Sequence, residues 1–264
     1  MQHQIFSLAF AVGLIGAHLF APLLARGAEL PEIKQRGYLI VAVKENLRPL
    51  GFRDPQGKLQ GLEIDIAQRL AQELLGQLEA VKLQPVANQE RIPLVLAQQV
   101  DLAIARVTAT SSRDRLVELS IPYYFDGTAL VTKNPALQKL RDVTRVKIAV
   151  LKGSNTIAII RSVLPQAQLV GVDSYAQGQT FLETGKAEVM AADASVLSGW
   201  VQEYPEYHIL PSLLSTEALC VVMPKGLQYT QLHQEVNQAI ARWRKEGWLQ
   251  ERAAYWGLPR DREE

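Results

Sequence analysis

The sequence predicts an α/β fold divided into two lobes, and three observations carry that prediction. Short apolar runs rich in β-forming residues alternate with stretches of helical period, which is the rhythm of mostly parallel sheets. The rhythm occurs twice, once over residues 38–105 and again over 147–201. Two extended segments, 126–132 and 216–223, interrupt it and follow no helix-crossover pattern. They are the expected crossings between lobes, so that the first lobe is assembled from both ends of the chain and the second from its middle.

Taken in order, residues 38–43 (YLIVAV) form an apolar run that predicts a buried strand. Asp54-Pro55-Gln56-Gly57 is a turn signal. In GLEIDIAQRLAQELLG, which begins at Gly61, Leu62, Ile66, Leu70 and Leu74 share one face at helical period while Glu63, Gln68, Arg69, Gln72 and Glu73 lie elsewhere. Gly76 ends that helix, and Glu63 and Asp65 complement the positive end of its dipole. Residues 81–86 alternate like a strand, 91–97 predict a short helix and 102–105 a further buried strand. In the second half, strands are predicted at 147–151, 168–172 and 189–192, helices at 175–184 and 194–201, and a third helix opening at Gly153-Ser154-Asn155-Thr156. Leu232, Val236, Ile240 and Trp243 mark a long amphipathic helix, and the charged tail from Pro259 is expected to fray.

Composition narrows the function. The 264 residues are 48% hydrophobic and 21% charged, enough apolar material for one large domain or two modest ones. A formal net charge of +1 and the lack of any Lys/Arg run exclude a whole-protein field that would draw nucleic acid or an acidic membrane. Cys220 stands alone in ALCVVM, so it forms no internal disulfide and is expected to be buried and inert. His3, His18, His208 and His233 are scattered, and no cluster has metal-ligand spacing. Residues 5–25 are uncharged and apolar, followed by Ala25-Arg26-Gly27-Ala28. This predicts a secretory signal occupying 1–28, with cleavage near Gly27 or Ala28. At about 1.5 Å per helical residue the stretch would also span a bilayer as an uncleaved anchor.

The motif G-L-E-I-D-I-x-x-x-L-A-x-x-L over 61–74 resembles the signature of the family 3 extracellular solute-binding proteins, the polar amino acid receptors of ABC importers. Further motifs follow in the family's order. Pro49-Leu50-Gly51-Phe52 resembles its Pro-aromatic turn at the pocket mouth, and Thr108-Ala109-Thr110-Ser111-Ser112-Arg113 its Thr-x-Thr-x-x-Arg loop. Ser120-Ile121-Pro122-Tyr123-Tyr124 is similar to its entry to the hinge. Gly153-Ser154-Asn155-Thr156 resembles its Gly-Thr-Thr helix start, and 185–193 its Gly-x-x-Asp-Ala-x-x-x-Asp strand. Together these cover about residues 30–257. Three positions depart from the pattern: Arg106-Val107 replaces a small or polar residue and an aromatic, Leu50 an aromatic, and Asn155 a threonine.

The resemblance implies a two-lobed periplasmic-binding-protein-like fold with two hinge strands, lobe 1 comprising 29–128 and 221–264 and lobe 2 comprising 129–220. It also implies roles. Arg113 offers a planar fork to the α-carboxylate, with Thr108 and Thr110 adding donors. Ser154, Asn155 and Thr156 stand where a strand turns into a helix, a place that favours an anion. Asp193, at a strand's C-terminal end, accepts from the ligand ammonium. Phe52 belongs to the pocket mouth. Lys44, after the first strand, and Arg91, in an Arg-x-Pro turn, resemble the basic residues of members that take aspartate or glutamate. Arg106 either reads the ligand side chain or pairs with a protein carboxylate.

The expected protein is therefore a monomeric periplasmic receptor that captures a polar, acidic amino acid by lobe closure and delivers it to an ABC permease and ATPase complex. It has no catalytic residue, cofactor, metal or nucleic-acid partner. Two alternatives share the scaffold: a cyclohexadienyl dehydratase-like enzyme and a membrane-anchored amino acid sensor domain.

Overall fold

The structure, a computed structural model, describes residues 29–259. The expected signal segment, its cleavage point and the tail 260–264 lie outside the described residues.

Two five-stranded sheets organise the chain. In the first, the order is Val81–Pro85, Leu39–Val43, Leu102–Ile104, Val222–Met223, Glu118–Leu119. In the second it is Gln168–Val172, Lys147–Leu151, Val189–Asp193, Thr128–Thr132, His208–Ile209. The two follow one plan: three parallel strands, then a fourth antiparallel to them and a fifth antiparallel to the fourth. The antiparallel member at the same place in each sheet, Val222–Met223 or Thr128–Thr132, is supplied by a crossing segment, so the sheets are less parallel than the helical alternation suggests.

The crossing segments pair with each other. Tyr124–Asp126 runs antiparallel to Glu217–Leu219, with Asp126 opposite Glu217. Asp126 is fully buried there. Its Oδ1 accepts from the Gly127 amide (2.9 Å) and the Ser195 amide (3.0 Å), and its Oδ2 from the Ser195 hydroxyl (2.6 Å). A Cβ on Gly127 would lie 2.0 Å from the Ser215 carbonyl oxygen, so only glycine lets the two crossings pass so closely.

The helix Leu62–Leu75 forms where its period predicts, ending at Gly76 in the left-handed conformation (φ 81°). Its stripe of Leu62, Ile66, Leu70 and Leu74 shares a core with Val41 and Val43 and with Leu232, Val236, Ile240 and Trp243 of the helix Thr230–Lys245. Each such side chain contributes roughly 1.5–3 kcal/mol on burial. The two acids of the first turn do more than face a dipole. Asp65 Oδ2 accepts from Arg252 Nε (3.0 Å) and Trp256 Nε1 (2.7 Å), fastening the helix Trp248–Tyr255, which the sequence reading did not foresee. Glu63 is buried and turns toward the cleft side of the sheet, as described below.

The turn at residues 54–57 closes a small sheet of Asn46–Leu47, Gly51–Arg53 and Leu59–Gln60, with Asp54 Oδ1 accepting from Gln56 (3.0 Å) and Lys58 (2.8 Å) amides. The helix Leu30–Arg36, also unforeseen, buries only Leu30 and Ile33. Helix Ala194–Glu203 from the second sheet reaches the loop of the first: a Cβ on Gly199 would meet the Arg48 carbonyl oxygen at 2.4 Å. Among the described residues, no helix is long and apolar enough to cross a membrane.

Candidate ligand-binding site

A polar cleft opens at the C-terminal ends of the parallel strands of both sheets, the place where α/β sheets bind ligands. From the first sheet and its loops it is lined by Arg91, Arg106, Thr108 and Arg113. From the second come Leu151, Ser154, Asn155, Thr156, Tyr175, Ala191, Ala192 and Asp193, and from the hinge Glu217.

Arg113 sits in a single helical turn, Ser111–Asp114, begun by Thr110, whose hydroxyl accepts from the Arg113 amide (3.3 Å). One guanidinium nitrogen, Nη1, is held by Thr108, through its carbonyl (2.7 Å) and its hydroxyl. Nε and Nη2 have no hydrogen-bond partner among the described residues, so a fork remains for a carboxylate. Across the cleft, helix Thr156–Val163 starts without any side-chain cap. The Ser154 hydroxyl is buried and has no partner among the described residues. Uncapped amides and an unpaired hydroxyl at a helix start are donors in search of an acceptor.

Arg91 is anchored on one side, with Nε donating to the Asn88 carbonyl (2.8 Å) and Nη1 to those of Ala105 (2.9 Å) and Arg106 (2.6 Å). Its Nη2 has no partner among the described residues. Burial, then the guanidiniums of Arg113 and Arg106, pull its pKa below the ordinary arginine value.

Arg106 dominates the middle of the cleft. It follows the strand Leu102–Ile104 in a left-handed conformation, φ 50°, that few non-glycine residues adopt. Its amide donates to Glu63 Oε1 (2.6 Å), which also accepts from the Tyr123 hydroxyl (2.6 Å). Its guanidinium pairs with Asp193 and reaches Asp126 Oδ2 at 3.3 Å. Burial works against the charge, but Asp193, Asp126 and Glu217 together outweigh it and raise the arginine further. Asp193 is raised by burial despite the neighbouring guanidinium, and Glu217 by burial and by Asp193. Glu63 is raised by burial against its two hydrogen bonds, and its Oε2 has no partner among the described residues.

Seven of the ten residues singled out in the sequence meet in this cleft: Arg91, Thr108, Arg113, Ser154, Asn155, Thr156 and Asp193. Three do not. Lys44 is buried, and its ammonium donates to the Val86 carbonyl (3.0 Å). Phe52 packs edge-on against Trp256, ring centroids 5.7 Å apart, with the Arg48 guanidinium over its face. Thr110 stands behind Arg113 as its cap. Tyr175 and Glu217 were missed. Tyr175 follows a parallel strand just as Asp193 ends one, and that rule would have found it; Glu217 has no local signal. Cys220 is buried, and burial raises its thiol to about 11, as an inert core cysteine requires.

Residues 39–259 match the family model of the bacterial extracellular solute-binding proteins, family 3. The chain is 32% identical over 191 residues to a glutamine-binding protein of Geobacillus stearothermophilus, covering 71% of this chain and 73% of that one. It is 26% identical over 260 residues to the ABC transporter glutamine-binding protein GlnH of Bacillus subtilis, covering 92% and 93%. The solved structure of an ancestral cationic amino acid solute binding protein superimposes with a TM-score of 0.73 at 26% identity, covering 86% of this chain and 99% of that one. With the family model spanning nearly all of the described residues, the chain belongs to the bacterial extracellular solute-binding proteins, family 3.

Proposed function

We propose that this protein captures a polar α-amino acid in the cleft, in the periplasm, and delivers it to an ABC-type importer. The observation that carries the reading is the opposition of Arg113 to Asp193 and the uncapped start of helix Thr156–Val163 across one cleft. A zwitterion needs a partner for each of its charges when water is removed. The α-carboxylate is assigned to the free fork of Arg113 and the ammonium to Asp193. Because these groups belong to different sheets, a ligand that bridges them favours the closed state of the lobes 29–128 with 221–264 and 129–220. The names of relatives support the class: one is a glutamine-binding protein of an ABC transporter.

Within the class, glutamate and aspartate are the assigned ligands, ahead of lysine and arginine. The support is Arg91, whose Nη2 is free to meet a second carboxylate. Lys44, buried on the Val86 carbonyl, takes no part in this reading.

A thermal-shift screen of the twenty amino acids tests it. A ligand that binds only the native state stabilises it by about 2.7 kcal/mol at a hundred times Kd. Glutamate or aspartate should raise Tm most, and be recovered unchanged. A screen in which no amino acid raises Tm, or turnover of prephenate or arogenate, would overturn the reading.

A further inference from the structure

Arg106 is not needed to hold an amino acid backbone, yet it is firmly fixed in the cleft. Three restraints act on it. Buried Glu63 takes its amide, holding the backbone in a left-handed conformation. Asp126, itself held by the Ser195 hydroxyl and the Ser195 and Gly127 amides, takes Nε at 3.3 Å. Asp193 takes the far end of the guanidinium. A guanidinium held by two carboxylates, on a backbone pinned by a third, does not swing aside cheaply to admit a ligand.

Its charge decides what the cleft prefers. Three arginines, Arg91, Arg106 and Arg113, face three carboxylates, Asp126, Asp193 and Glu217. Arg106 covers two of the three carboxylates. A ligand ammonium still finds the uncovered side of Asp193, but a second cation on the ligand would meet guanidinium groups. Without Arg106 the balance reverses: two arginines would face three carboxylates, and a cationic side chain would have buried acids to pair with.

We propose that Arg106 is the specificity-determining residue of the cleft, excluding amino acids with a cationic side chain by occupying the carboxylates that such a side chain would need. The assignment rests on the reading of the cleft as an amino acid site. It also accounts for how a chain with the fold of a cationic amino acid solute binding protein can select differently.

The test is calorimetry of glutamate, glutamine, lysine and arginine with the wild type, Arg106→Asn and Arg106→Gly. Asparagine and glycine both tolerate the left-handed backbone at this position, so neither strains it; circular dichroism and Tm check that the fold is retained. Lysine and arginine should bind the wild type at least tenfold more weakly than glutamate. Their affinity should rise at least tenfold in both variants, while that of glutamine changes much less. Folded variants with unchanged discrimination would overturn the role of Arg106, as would a wild type that binds lysine or arginine as well as glutamate; Arg106→Lys, which keeps a cation for Asp126 and Asp193, should retain the discrimination, and its loss there would overturn the role as well. Failure of all four ligands in every protein would instead strike the amino acid reading itself.

Discussion

The guanidinium of Arg106, carried by the loop that leaves the first sheet, is ion-paired with the carboxylate of Asp193, carried by the last residue of a strand in the second. This pair joins the two lobes through residues that line the cleft, so on the proposed reading closure and selectivity share atoms. Asp193 keeps a raised pKa even beside a guanidinium because burial outweighs the attraction. A carboxylate in that condition gains from every further donor, which is what a ligand ammonium supplies.

Arg113→Ala should weaken every amino acid ligand, whatever its side chain. Nε and Nη2 of Arg113, without partners among the described residues, are assigned to the carboxylate that all of them share. Loss of a charge-assisted pair costs about 1.5–3 kcal/mol, roughly 10- to 150-fold in Kd. Calorimetry with two ligands of different side chain checks it: equal losses are expected, and wild-type affinity for either would remove Arg113 from the site. Arg113→Lys should recover only part of the loss, because a point charge does not replace a fork.

Much of this was legible in the chain because the signal was local. The stripe Leu62, Ile66, Leu70, Leu74 and the stripe Leu232, Val236, Ile240, Trp243 each set a helix and its buried face within one segment. Arg113 and Asp193 could be placed from the end of one strand and the loop after another. What failed to read was direction. Lys44 and Phe52 lie in the expected segments but point into the first lobe, toward Val86 and Trp256, because the partners that orient them come from distant parts of the chain. The pairing of Arg106 was left open between ligand and protein carboxylate for the same reason: Asp126 and Asp193 come to it only through the hinge and the second sheet. The helix Trp248–Tyr255 buries only Leu249 and Ala253, too few apolar residues to show a period.

Glu63 should make stability depend on pH in a particular direction. Burial raises its pKa, so between the ordinary glutamate range and the raised value the folded state binds more protons than the unfolded. Its contribution to stability is therefore full at acid pH and is lost as pH rises through the folded pKa. Glu63→Gln cannot ionise, so its stability relative to wild type should improve as pH rises from the ordinary glutamate range through the folded pKa. The amide oxygen still accepts from the Arg106 amide and the Tyr123 hydroxyl, whereas Glu63→Ala leaves both donors unpaired and should lose stability at every pH. Urea unfolding across that range measures both. A stability difference between wild type and Glu63→Gln that does not change with pH would show that Glu63 does not titrate there.

Gly199→Ala should destabilise the contact between lobes. A Cβ at this position would stand 2.4 Å from the Arg48 carbonyl oxygen, a backbone atom with little room to yield. Overpacking of this kind costs about 1–3 kcal/mol. The midpoint of urea unfolding should fall accordingly. A midpoint equal to that of wild type would mean that helix Ala194–Glu203 and the Arg48 loop separate freely in solution.

Arg91→Ala should weaken glutamate more than glutamine. The single free nitrogen of Arg91 is assigned to the ligand's second carboxylate, and glutamine carries no charge there. The loss for glutamate should be about that of one charged hydrogen bond, ~1.5–3 kcal/mol. The substitution also strips donors from the carbonyls of Asn88, Ala105 and Arg106, so some general loss is expected for both ligands. Only the difference between the two carries the assignment, because damage to the loop would act on them alike. Arg91→Lys keeps a charge and should fall between wild type and Arg91→Ala for glutamate alone. Equal losses for glutamate and glutamine in calorimetry would mean that Arg91 supports the Arg106 loop without reading the side chain, and selection among polar amino acids would then fall to Arg106 and Glu217.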